Sequence, residues 1–189
     1  MKITRIDTCV LTVPASKQMA LEFPHHRLVV ADIATDEGVK GLGYSLVFGG
    51  GGAAAVLAYL EERLKPLLIG EDPRNVAALW EKMYRGDRGV RRVGIAGYAV
   101  SALDIGLWDI VGKAAGLPLY KVWGAFTDRI PCYGSGGWAK YADKDLVAEA
   151  ERYAAAGCKY YKMKIHHADP RVNRARVELV RRPSGRACA

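Results

Sequence analysis

Two lysines one residue apart, Lys162 and Lys164, stand in the run Tyr160-Tyr-Lys-Met-Lys-Ile165. If that run is a strand, alternation puts both lysines on one face and Tyr161, Met163 and Ile165 on the other. A parallel strand covered by helices is normally apolar on both faces. Two buried ammonium groups without partners would be costly. An edge strand with both lysines in water avoids that cost, and K-x-K is a common pattern there. The reading with chemical content is a lysine pair that faces an anion. Two close ammonium groups weaken each other's hold on a proton, as burial does. A lysine tuned in this way can serve as a general base near neutral pH.

Other polar residues admit two readings each. Ser135, in Gly134-Ser-Gly-Gly137, is either a turn residue or a substrate contact. His25 and His26 fall in a long predicted loop over 14–26, as surface histidines or as contacts to a polar substrate. His166 and His167 follow the lysine run and read as the start of a loop. Asp104 and Asp109, five apart on an apolar helix, share no face closely. Asp104 reads as a buried structural acid, and neither aspartate as a metal ligand. The four cysteines, Cys9, Cys132, Cys158 and Cys188, form no C-x-x-C pair and suit neither a zinc ribbon nor a disulfide scaffold. They read as reduced thiols, with Cys9 and Cys132 on strand faces.

The elements that must position these residues change character along the chain. Residues 2–13, 27–35 and 39–47 read as three strands of an antiparallel meander, with Asp36-Glu-Gly38 as the second turn. The connection over 14–26 is too long for a tight hairpin, and four glycines follow at 49–52. Helices are expected at 53–68, at 76–85 and at 92–115. Asp72 is a candidate N-cap for the second, with Pro73 at its first position. The third is apolar on more than one face and is stopped by Gly116 and Pro118. Beyond it a strand over 129–133, a helix over 143–156, a strand over 159–165 and a helix over 169–182 follow in turn. That alternation is the grammar of a parallel sheet.

Three of these segments, in this order, carry a resemblance. Residues 101–124, SALDIGLWDIVGKAAGLPLYKVWG, are similar to the helix that closes the capping domain of enolase-superfamily proteins of the mandelate racemase/muconate lactonizing enzyme type. Ile130-Pro-Cys-Tyr133 resembles that family's first barrel strand, and Lys162-Met-Lys164 its K-x-K on the second. The resemblance implies an α+β capping domain, a three-stranded antiparallel meander plus helices, over 1–125. It implies the first two β/α units of an incomplete (β/α)7β TIM-like barrel over 126–189. It further implies a Mg²⁺-dependent enzyme that abstracts the proton α to a carboxylate, with Lys164 as the base and Lys162 tuning it and contacting the carboxylate. Two capping loops, here 14–26 and 48–52, would close over the substrate, and Ser135 would lie at the strand end where barrel active sites sit. The expected substrate is a small hydroxy or sugar acid. The expected activity is that of a sugar-acid dehydratase or else of a racemase, epimerase or cycloisomerase, from an enzyme that is a homo-oligomer when complete.

The chain also departs from that pattern. The family's metal-binding carboxylates sit on the third, fourth and fifth barrel strands, and nothing in residues 1–189 replaces them. A truncated, catalytically inactive chain is therefore the competing expectation, and the closing Arg181-Arg-Pro-Ser-Gly-Arg-Ala-Cys-Ala189 reads like a shifted frame. The net charge of +8 at first points to nucleic acid. The last nineteen residues, however, hold six of the 28 basic side chains and one of the 20 acidic ones. The basicity belongs mainly to this tail, and elsewhere charges mix as on a solvated surface. Gly41-Leu-Gly43 lacks the third glycine and the following helix of a dinucleotide fingerprint. No stretch approaches the ~18 uninterrupted apolar residues of a membrane span, and the N-terminus lacks a signal peptide's apolar region. The expected setting is the cytoplasm, with neither membrane nor nucleic acid as partner.

Overall fold

The computed structural model describes residues 1–15, 24–48, 51–85 and 93–184. They divide into two compact units, one of Met1–Pro14 with His25–Asp128, the other mainly the chain from Arg129 onward.

The first unit opens with the meander: β1 (Ile3–Pro14), β2 (His25–Thr35) and β3 (Lys40–Val47), antiparallel in the order β1-β2-β3. Val30 pairs with Cys9 on one side and with Tyr44 on the other. Period-two alternation sends Ile6, Val29, Ala31 and Ile33 to one face, where all are fully buried. Helices α1 (Ala53–Tyr59), α2 (Lys65–Leu68), α3 (Val76–Arg85) and α4 (Ile95–Ala115) contribute the other half of that core. A π-helical turn over Leu60–Leu64 joins α1 to α2, next to Pro66, which has no N–H to donate. Leu60, Leu64 and Leu68 remain fully buried through the irregularity.

Two local expectations change. Asp72 does not cap α3; its carboxylate accepts the Arg74 N–H at 3.0 Å and closes a turn ahead of the helix. Strand β2 begins at His25 rather than at residue 27, because β1 runs on to Pro14 and supplies partners: Pro14 lies opposite His25 and Val13 opposite His26. Both histidines therefore belong to a strand, His25 exposed and His26 half-buried, and not to the loop. Residues 16–23 of that loop, and residues 49–50 of the glycine run, lie outside the described residues.

Helix α4 is long and apolar enough, by length and composition, to cross a membrane. Here Ala99, Ala102, Leu103, Leu107 and Ile110 are fully buried in the core of the first unit. It lies against β3 at backbone distance. A Cβ on Gly43 would fall 1.8 Å from the Ala102 carbonyl oxygen, and one on Gly41 2.1 Å from that of Gly106. The two glycines that invite a nucleotide-binding reading thus serve helix–strand packing. Side chains of α4 complete the contact: Asp109 accepts the Leu42 N–H at 2.8 Å, and Lys113 Nζ donates to the Lys40 carbonyl at 2.9 Å.

The second unit holds β4 (Gly134–Ser135), α6 (Asp143–Ala155), β5 (Tyr161–Lys162) and α7 (Pro170–Ser184); the short α5 (Leu119–Val122) precedes it in the first. β4 and β5 pair in parallel, with Gly134 opposite Tyr161 and Ser135 opposite Lys162. This is the strand–helix–strand–helix order read from the sequence, with shorter strands. Residues 129–133 form no strand among the described residues, because the ladder engages only where the Gly134 N–H reaches the Tyr160 carbonyl at 2.9 Å. Cys132 is accordingly exposed and not on a strand face.

Gly43→Ala is expected to destabilise the first unit by about 1–3 kcal/mol through overpacking against α4. Gly51→Ala, where an added Cβ meets nothing within 4 Å, should be nearly neutral. Urea denaturation of the two variants beside the parent protein checks both.

Candidate active site

The short parallel ladder positions the lysines. After Gly134, the Gly136 N–H donates to the Lys162 carbonyl at 3.0 Å, and the Lys164 N–H donates to the Gly137 carbonyl at 3.0 Å. The ladder thus continues past the formal end of β5 and holds Lys164 as well as Lys162. Gly137 has φ of 59°, and a Cβ there would fall 2.5 Å from that of Met163. The residue must be glycine for both reasons.

Side chains then alternate. Tyr161 and Met163 pack into a small core with Tyr141, Leu146, Ala150 and Val180 from α6, α7 and the chain before them. Lys162 is exposed and Lys164 half-buried; strand alternation from Tyr161 and Met163 would turn both lysines away from that core. Ser135, also exposed, is the ladder partner of Lys162. Lys162 Nζ lies 5.9 Å from the ring centre of Tyr133, and Lys164 Nζ 5.1 Å from that of Trp138. Among the described residues no carboxylate pairs with either ammonium. Their aromatic neighbours offer only weak compensation for the charge. Two lysines without an acidic partner, next to an exposed serine on the paired strand, suit a carboxylate ligand.

The side of the ladder that faces α6 is organised by a residue that sequence reasoning missed. Glu149, on α6, accepts the Tyr161 O–H at 2.7 Å, the Gly137 N–H at 2.8 Å and the Tyr141 O–H at 3.0 Å. Burial, and then the bond to this carboxylate, push both tyrosine phenols well above their ordinary range, so both remain donors. A Cβ on Gly136 would fall 1.9 Å from Glu149 Oε2, so that glycine makes room for the carboxylate. A signal existed in the sequence: Glu149 follows Leu146 by three and precedes Tyr153 by four, an acid within the helix's apolar stripe.

The other candidates settle into structural places. His167 Nδ1 accepts the Asp169 N–H at 3.0 Å, and its backbone carbonyl accepts the Asn173 side-chain N–H at 2.7 Å, so this segment is the lead into α7. Burial raises the Asp104 carboxyl above the usual range, as fits an acid within a core helix. Asp109 pairs with Lys113 at 2.6 Å. His25 and His26 stand on β2 of the first unit; Ser135, Lys162 and Lys164 come together in the second. Among the described residues no group of three or more His, Cys, Asp or Glu side chains can hold a metal ion.

An antiparallel meander packed on helices, followed by β/α units whose second strand presents paired lysines, defines the cap and barrel start of an enolase-superfamily protein. Residues 5–124 match the N-terminal domain of the mandelate racemase / muconate lactonizing enzyme family, and the chain belongs to that family. It is 33% identical over 158 residues to the 3,6-anhydro-alpha-L-galactonate cycloisomerase of Streptomyces coelicolor, covering 84% of this chain and 44% of the relative. It is 35% identical over 162 residues to the arabinonate dehydratase of Saccharolobus solfataricus, covering 84% and 42%. Its fold matches the crystal structure of L-talarate dehydratase from Polaromonas sp. JS666, complexed with Mg and L-glucarate, with a TM-score of 0.85 and 31% identity. That match covers 96% of this chain and 48% of the other. The chain thus spans less than half the length of each of these proteins. The residues described here offer no set of ligands for magnesium of the kind bound in that dehydratase.

Leu146 is fully buried at the centre of the second unit's small core. Leu146→Ala should cost about 2–5 kcal/mol there. Limited proteolysis should then cut first within residues 129–184, and the first unit should persist.

Proposed function

We propose that the whole protein abstracts the proton α to the carboxylate of a sugar acid, and that its overall reaction is dehydration. The observation that supports this reading is the ladder that pairs Lys162 with the exposed Ser135 and bonds Lys164 two residues on, with no carboxylate partner for either lysine among the described residues. The Lys162 ammonium would pair with the substrate carboxylate. Lys164, as the free amine, would take the α-proton on Nζ, and the electron pair left behind would move into the carboxylate as an enediolate. The enediolate electrons would then form the Cα–Cβ double bond and expel the β-hydroxyl, which takes up a proton from solvent and leaves as water. Ser135 would hydrogen-bond a substrate hydroxyl. His25 and His26 are proposed as further substrate contacts.

Dehydration is preferred because an arabinonate dehydratase and an L-talarate dehydratase are among the relatives, and both names denote acids of sugars. Cycloisomerisation is the second reading, favoured by similarity to the galactonate cycloisomerase; racemisation or epimerisation would share the same first step. Mg²⁺, which in the whole protein would need ligands other than the residues described here, would stabilise the enediolate charge. A protein of this kind is proposed to act in the cytoplasm as a homo-oligomer.

Deuterium exchange follows the α-proton directly. In D2O with arabinonate, a fusion in which this chain replaces the matching segment of the Saccharolobus solfataricus arabinonate dehydratase should exchange the α-position. Lys164→Ala should slow exchange by ~10²–10⁴-fold, the usual contribution of a general base. Exchange unaffected by that substitution would place the base elsewhere. Calorimetric titration of the 189-residue chain with magnesium chloride is expected to show no saturable site, and a stoichiometric one would refute the ligand assignment.

A further inference from the structure

We infer that Glu149 is a positioning residue for the lysine pair, acting through Tyr161 and the Gly136–Gly137 turn. The inference rests on the proposed role of Lys162 and Lys164 and adds what holds them. Three observations converge on it. The carboxylate bonds both strands of the ladder at once: Oε2 accepts from the Gly137 N–H at 2.8 Å on the β4 side and from the Tyr161 O–H at 2.7 Å on β5. Its other oxygen accepts from Tyr141 at 3.0 Å, so both oxygens are engaged and the side chain, 14% exposed, is held in one orientation. The turn is shaped around it, since a Cβ on Gly136 would occupy the place of Oε2.

The lysines are coupled to this clamp through the backbone. Tyr161 is the immediate neighbour of Lys162, and fixing its ring toward α6 fixes the lysine toward the opposite side. The Lys164 N–H is bonded to the carbonyl of Gly137, whose own N–H is bonded to Glu149. The Lys162 carbonyl accepts from the Gly136 N–H. A carboxylate is suited to the place because every group bonded to it is a donor, and a charged acceptor makes the stronger bonds. Glutamine would retain the shape but turn an N–H₂ toward some of these donors. Arg152, 3.5 Å away and 70% exposed, is too distant and too solvated to take over the role.

Trace acetylation of the 189-residue chain, read lysine by lysine by mass spectrometry, tests this without substrate or metal. In Glu149→Gln, Lys162 and Lys164 should change in rate by about threefold or more as the ladder loosens. Lys144, on α6 of the same unit, and Lys113, in the first unit, should not change. Equal rates for all four lysines relative to the parent would overturn the inference. So would a parallel rise of Lys144 with the pair, which is what a merely structural role produces. If Glu149→Gln does not fold, Tyr161→Phe decides: it removes one donor and keeps the ring, and it should shift the same two lysines. An unchanged pair in that variant would overturn the inference too. Acetylation reads the surroundings of each amine without turnover, so loss of the α-proton reaction would leave this result standing, and the converse also holds.

Discussion

Three backbone hydrogen bonds decide what the second unit can do. They run from Gly134 to Tyr160, from Gly136 to Lys162 and from Lys164 to Gly137. Between them they set the register of two short strands, and the register sets which side chains face the small core and which face away. A slip by one residue would bury two ammonium groups and expose Tyr161 and Met163. The apolar packing of Tyr161 and Met163 against Leu146 and Ala150 opposes that slip from one side. The cost of burying two unpaired cations opposes it from the other.

Glycine supports both units in the same physical way, by letting polar or backbone groups approach closely. In the first, Gly41 and Gly43 admit the carbonyls of α4 to the surface of β3. In the second, Gly136 admits a carboxylate and Gly137 takes up a left-handed turn beside Met163. At each of these positions an added Cβ would meet protein atoms. The chain's glycines are therefore informative about packing, and the functional reading comes from the charged residues that the packing leaves outside.

Much of this was legible in the residues. The meander, the helices and the change to β/α alternation follow from periodicity and from Gly and Pro stops, and the lysine pair was visible as a pattern. What was not legible depended on partners. β2 gained His25 and His26 because β1 continues to Pro14, a fact of pairing that local propensity does not contain. The strand expected over 129–133 did not form among the described residues for the same reason in reverse, since its β-rich sequence has no ladder partner there. Asp72 capped a turn because Arg74 was near enough to share its carboxylate. Glu149 escaped notice because an acid on a helix reads as solvated until the donors facing it are known.

The pairing of Asp109 with Lys113 has a consequence for how the meander meets other chains. An open sheet ends in a row of free N–H and C=O groups that can recruit a foreign strand. On β3, the Leu42 N–H and the Lys40 carbonyl are taken by these two side chains, one acceptor and one donor, one helical turn apart on α4. The ion pair thus mimics a short piece of neighbouring strand, and this stretch of the border is closed to templated β-addition without any further polypeptide.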